Sequence, residues 1–162
     1  MTMTKRTFAL LAASAALALA GCASTPAPAT ITDTAARTPQ LSTLTKLLND
    51  AGLADTLRGA GPFTVFAPSD EAFKAVPAAT MERLAKDKAL LTAVLTYHVV
   101  PGKVMAAEVK TGNAKTVQGA NVALSKAGTF VTVEDAVVTQ ADVAATNGVV
   151  HVIDKVLMPP RR

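Results

Sequence analysis

Phe63-Thr64-Val65-Phe66-Ala67-Pro68-Ser69-Asp70-Glu71-Ala72-Phe73 carries two structural signals in succession. Aromatic and β-branched residues fill its first half, with Gly61-Pro62 before them and Pro68 after, so Phe63 to Ala67 is expected to be a strand. Ser69 or Asp70 then caps a short helix running through Phe73, the Asp70 carboxylate accepting backbone N–H groups that a first helical turn leaves unpaired. Phe63, Val65, Phe66 and Phe73 read as core residues.

Upstream, Leu41, Leu44, Leu47 and Leu48 fall on one helical face, and Asp50-Ala51-Gly52 ends that helix with a glycine able to take the left-handed cap. A second helical piece is expected from Leu53 to Leu57. Downstream, Thr80 is placed to cap a helix through Leu84, and Asp87 a further one that buries Leu90, Leu91, Val94 and Leu95. From Tyr97 the pattern shifts towards period two. Candidate strands cover Thr116 to Gln118, Asn121 to Lys126, Thr129 to Glu134, Ala136 to Thr139 and Val149 to Asp154, with Val156-Leu157-Met158 following. Pro101-Gly102, Ala127-Gly128 and Asn147-Gly148 mark turns, and Asn147-Gly148 is expected to supply positive-φ geometry. Helices in the first half and strands in the second make an α+β domain. No internal repeat is visible, so the module occurs once.

The first 22 residues have a different character. Lys5 and Arg6 precede an uncharged, mostly apolar stretch from Phe8 to Gly21, which is the layout of a secretory signal peptide and short of the ~20 residues of a spanning helix. Leu19-Ala20-Gly21-Cys22 resembles the bacterial lipobox, in which the cysteine takes a thioether-linked lipid and becomes the first residue after cleavage. Cys22 is the one cysteine of the chain, so no intramolecular disulfide competes for it. The expected organisation is a signal peptide over 1–21, a lipidated Cys22 with a flexible Ala-, Thr- and Pro-rich linker over 22–38, and a domain over 39–160. The location this implies is extracytoplasmic and lipid-anchored: outer membrane or periplasm in a Gram-negative host, cell surface otherwise.

The formal charge is +4, and loss of Lys5 and Arg6 would leave 14 basic against 12 acidic side chains. Basic residues are scattered and only six aromatics occur, so no nucleic-acid partner is expected.

Three segments together resemble the fasciclin family: Phe63 to Phe73, Tyr97-His98 after the Leu90–Leu95 helix, and Asn147-Gly148-Val149-Val150-His151-Val152-Ile153-Asp154 running on to Leu157. The resemblance covers about residues 40–159. It implies a β-wedge of about seven strands with a helical cap, in which the first and third segments are central strands. In animal members of the family, an Asp followed by an aliphatic residue resembles an integrin-binding determinant. Asp142-Val143 occupies that position here, with Val in place of the usual Ile.

The resemblance also places His98 in the family's Tyr-His pair. His98 and His151 are the only histidines, and no Cys or acidic pair at ligand spacing accompanies them, so no metal is expected. No nucleophile elbow, phosphate-binding loop or His-Glu-x-x-His motif occurs, and neither an enzyme nor a cofactor is expected. The expected function is a membrane-anchored binding module acting in cell-surface or matrix adhesion towards a protein or glycan. Tyr97, His98, Asp142 and Val143 are its candidate contacts, and Phe63, Asp70, Phe73, Asn147, Gly148 and His151 its structural motif. The alternative is a carrier of a small apolar ligand, since the domain is rich in Val and Leu.

Overall fold

The computed structural model describes residues 29–160. The signal peptide, Cys22 and the first part of the expected linker lie outside the described residues.

Helices α1 (Ile31–Arg37), α2 (Ser42–Asp50) and α3 (Ala54–Arg58) come first, with a 3₁₀ turn at Pro39–Leu41. Strand β1 (Phe63–Pro68) follows, then α4 (Asp70–Lys74), α5 (Ala78–Lys86) and α6 (Lys88–Tyr97). Strands β2 (Val99–Pro101), β3 (Gly112–Lys115), β4 (Asn121–Ala127), β5 (Phe130–Val133), β6 (Ala136–Ala145) and β7 (Gly148–Ile153) complete the order. The seven strands form one mixed sheet in the order β2-β1-β7-β6-β5-β4-β3. Among the described residues only β1 and β7 pair in parallel, from Phe63 opposite Gly148 to Pro68 opposite Ile153.

This α+β sheet with its helical layer matches the expected wedge, and β1 and β7 are the inner pair of the β2-β1-β7-β6 group. Every residue of β7 is buried, as expected for a strand covered on both faces whose run Val149 to Ile153 is apolar except for His151. The pleat sends alternate side chains to separate cores. Val65, Ala67, Val150 and Val152 join Ile31, Leu44, Leu84 and Leu95 beneath the helices. Phe66 and Ile153 join Tyr97, Val122, Val133 and Leu157 on the other side.

Several expectations are corrected. Residues 29–38 are not linker. Thr30 and Asp33 form a reciprocal capping box, and α1 buries Ile31, Thr32 and Ala35. Asp70 caps a helix, but not its own. Ser69 caps α4 through Ala72 N, whereas the Asp70 carboxylate accepts from Thr43 N (2.8 Å) and Ser42 Oγ (2.7 Å) in the first turn of α2, which lacks a cap of its own. Burial pushes the Asp70 carboxyl upward, but these hydrogen bonds outweigh it and hold its pKa below the usual value. Thr80 lies inside α5, which starts at Ala78 behind Pro77 with no side-chain cap. Leu90 sits on the outer side of α6, 36% exposed. Thr116 to Gln118 is a turn following β3, and the strand expected to stop at Thr139 runs on to Ala145.

Asn147-Gly148 supplies no positive φ. Gly148 is required for another reason: a Cβ there would strike the Phe63 carbonyl of the parallel strand and Ile31 Cδ1. Asn147 is a hub. Its Oδ1 accepts from Ile31 N (3.0 Å), and its Nδ2 donates to the carbonyls of Leu57 (2.6 Å) and Gly59 (3.1 Å). One side chain thereby ties α1 and the end of α3 to the β6–β7 turn. Asn147→Ala is expected to cost about 2–4 kcal/mol, the sum expected when several partly buried partners lose their hydrogen bonds. Urea denaturation checks this, and a loss below 1 kcal/mol would contradict the hub.

Candidate functional site

The four candidate contacts divide into two pairs. Tyr97 and His98 are each only 2% exposed, which leaves almost no surface for a partner. Tyr97 ends α6, and its ring enters the second core. Its hydroxyl donates to Glu134 Oε1 and to the Asn121 carbonyl, both at 3.1 Å. Burial, reinforced by the hydrogen bond to Glu134 and its charge, pushes the phenol up to about 12.

Glu134 was not singled out by the sequence. It takes φ 54° in the β5–β6 turn, and the same Oε1 accepts from Ala123 N at 2.9 Å. A non-glycine residue is unusual in that conformation. Nothing in the local sequence around Glu134 marks it, because the partners that hold it come from β4 and α6.

His98 is the C-cap of α6. Its Nδ1 bonds the Val94 carbonyl at 2.7 Å, and its Nε2 accepts from Leu157 N at 2.9 Å. Leu157 N can only donate, so the ring is neutral with its proton on Nδ1. His151 holds the opposite tautomer: Nδ1 accepts from Asp142 N at 3.1 Å, and Nε2–H donates to the Val104 carbonyl at 2.8 Å. Its ring stacks on Phe66 with centroids 5.6 Å apart. His151 thus faces away from Val150 and Val152, as the alternation predicts, and both sides of the strand are covered. The two histidines are internal clasps. One fastens the C-terminal segment to α6, and the other fastens β6 and the loop after β2 to β7.

Burial disfavours the His98 cation and lowers its pKa from 6.5 to about 4, partly offset by the bond to Val94. The folded pKa lies below the unfolded one, so between these values the unfolded chain binds the extra proton. Stability is therefore full above about pH 6.5 and falls as pH drops towards 4, by about 3 kcal/mol over the window. Urea titrations at pH 7 and pH 4.5 check this. A stability unchanged between the two would contradict it.

Asp142 and Val143 are different, both being partly exposed on β6. The pairing of β6 with β7 shifts register between Val138 and Gln140 and again between Gln140 and Val143, and Asp142 takes φ 56° within this bulge. Aspartate tolerates the left-handed region better than most residues. Asp142 Oδ1 accepts from Ala106 N at 2.7 Å, which holds the loop after β2 against the strand. Its Oδ2 has no hydrogen-bond or ion-pair partner among the described residues. Val143 packs its side chain on the helical core. Beyond the first two residues, β6 has no strand on its outer side, and such an edge invites pairing with another chain. The bulge breaks the regular edge and raises one carboxylate on it.

Among the described residues no three His, Cys, Asp or Glu side chains gather as metal ligands, and no helix is long and apolar enough to cross a membrane. A cleft of about 350 Å³ lies between α5, α6 and the C-terminal segment, with Leu84, Leu90, Val94 and Met158 on its walls and Arg83 at its side.

The family model of the fasciclin domain matches residues 39–159. Protein sll1483 of Synechocystis is 44% identical over 140 residues, covering 85% of this chain and 78% of that protein. Immunogenic protein MPB70 of Mycobacterium bovis is 42% identical over 131 residues, covering 78% of this chain and 67% of that one. Cell surface glycolipoprotein MPB83 of the same species is 41% identical, and the chain spans 59% of its length. Among solved structures, a domain pair from the insect cell adhesion molecule fasciclin I superposes with a TM-score of 0.65 at 17% identity, covering 81% of this chain and 51% of that one. That likeness is one of fold.

Proposed function

The chain belongs to the fasciclin domain family, and from that premise we propose that it is a lipid-anchored extracytoplasmic binding module acting in surface adhesion, without catalytic turnover. The observation that carries the reading is the Asp142 carboxylate, raised on the β6 bulge with one oxygen engaged inside and the other free of partners among the described residues. A carboxylate so placed can accept charge-assisted hydrogen bonds or complete a partner's cation site. Val143 beside it packs on the helical core and adds only the part of its surface left exposed. The relatives support the setting: one is a cell surface glycolipoprotein, and the solved neighbour is from a cell adhesion molecule.

Anchoring is assigned to Cys22. The mass of the protein extracted from membranes tests it. A diacylglyceryl adduct on an N-terminal Cys22 is expected, and an unmodified thiol contradicts it. Adhesion through the bulge is tested with Asp142→Asn, which keeps an acceptor for Ala106 N–H and tolerates the left-handed backbone while removing the charge. Beads carrying the variant are expected to lose at least tenfold in retention on surfaces that hold wild-type beads. Equal retention would move the site elsewhere.

A second reading, carriage of a small apolar ligand, is favoured by the cleft of about 350 Å³ beside Leu90 and Met158. Native mass spectrometry separates the two, since a co-purifying small molecule supports carriage and a bare chain mass argues against it.

A further inference from the structure

The point at which the chain enters the domain is fixed by hydrogen bonds. The Ala29 carbonyl accepts from Thr146 N (2.9 Å) and Thr146 Oγ1 (3.3 Å), and Ile31 N donates to Asn147 Oδ1 (3.0 Å). The chain therefore enters at the β6–β7 turn. The same end of the molecule carries Gly59, whose carbonyl accepts from Asn147, and Pro62, whose carbonyl accepts from Gly102 N at 2.9 Å.

From this end β1 and β7 run in parallel, and their six residues advance about 17–20 Å. Helix α1 starts at the same end, and the chain after it reaches the far end, where Asp70 holds the first turn of α2. There Ser69 N meets the Ile153 carbonyl, and Asp154 exchanges hydrogen bonds with Val137. A cleft of about 290 Å³ opens beside them, between Glu134–Ala136 and Lys155–Met158.

Cys22 stands seven residues before Ala29. Seven residues span at most about 25 Å when fully extended. A domain of the described length is about 35 Å across, from a radius of gyration near 14 Å. A tether leaving from the β6–β7 turn is therefore shorter than the domain is wide, which disfavours full inversion of the domain on the bilayer. This follows from the packing of α1. Were residues 29–38 a free linker, the reach would more than double.

We propose that the anchor seats the domain with the Thr146–Asn147 end towards the lipid surface and the end formed by Asp70, Asp154 and the Glu134–Met158 cleft directed away from it. Asp142 and Val143, midway along β6, then lie on the flank. The bilayer is the neighbour of the first end by tethering alone. Arg58 there is engaged by Asp33 and Asp55, which weakens its attraction to an anionic surface.

The inference rests on lipidation of Cys22, and its test supplies the anchor chemically, so the two can fail separately. The sequence contains no Trp and one Cys. A protein of residues 22–162, which includes both cores, is coupled through Cys22 to maleimide lipid in phosphatidylcholine vesicles bearing dansyl headgroups. Lys103→Trp reports from the tethered end and Lys155→Trp from the far end, both at exposed positions. Energy transfer to the headgroups is expected to be severalfold stronger from Lys103→Trp, and to disappear for both without coupling. Equal transfer from the two, or stronger transfer from Lys155→Trp, overturns the orientation whether or not the native chain is acylated.

Discussion

Gly148→Ala is expected to destabilise the domain by about 4 kcal/mol or more, a large part of the ~5–15 kcal/mol available to a typical domain. Gly148 opens β7 opposite Phe63 of β1. The one parallel pairing of the sheet brings the two backbones so close that an added methyl would overlap the Phe63 carbonyl and press on Ile31 Cδ1. Relief requires β1 and β7 to separate or α1 to lift, and both elements contribute to the helical core. Backbone offers no rotamer to escape into, which distinguishes this clash from ordinary overpacking of side chains. Gly128→Ala is the control. Gly128 takes φ +63° in the β4–β5 turn with open space around it, so only the left-handed strain of about 1–2 kcal/mol is expected. Denaturant unfolding of the two variants checks the contrast, and equal losses would mean that conformation, not close approach, is what both glycines serve.

The second large effect is expected at His98. His98→Ala leaves Leu157 N–H without its partner, leaves the Val94 carbonyl only the longer bond from the backbone N–H of residue 98 (3.3 Å), and opens a cavity at a buried position. Unpaired buried groups and lost packing together predict about 3–5 kcal/mol. The loss has a local signature, because the clasp holds the C-terminal segment whose Leu157 side chain fills the second core. Amide exchange at Leu157 is expected to rise far more than exchange in β7, where the ladder is intact. Uniform loss of protection would show that His98 only fills space.

The fold was legible where one segment carried its own explanation. Phe63 to Ala67 and Val149 to Ile153 announce buried strands by composition alone, and Asp87 caps α6 as read. What the sequence hid is mostly long-range. Asp70 looks like the cap of the helix that it opens, yet its partners lie 27 and 28 residues upstream. Asn147-Gly148 looks like a turn chosen for positive φ. Its residues are needed instead for a hub of hydrogen bonds and for the approach of β1. Helix α1 could have been found from Thr30-x-x-Asp33 together with Ile31 and Ala35 on one face, but an Ala- and Thr-rich composition masked that local signal.

The candidate site was half legible. The motif Tyr97-His98 marks two residues that the structure encloses, so what the pair contributes comes through the α6 clasp and not through contact. Asp142-Val143 was visible as a pair, but the bulge that raises it depends on His151 and Ala106, neither of which local sequence connects to it. The candidate contacts thus fall into two burial classes, Tyr97 and His98 being enclosed and Asp142 and Val143 partly exposed.

Adhesion by a single domain is weak unless many copies share one surface. The most direct measurement is retention of beads densely coupled through Cys22 on cells and matrix polymers, with excess soluble domain as competitor. Retention is expected that soluble wild-type domain abolishes and soluble Asp142→Asn domain does not. Retention no greater than that of bare beads on every surface, or retention indifferent to the soluble wild-type domain, would contradict it.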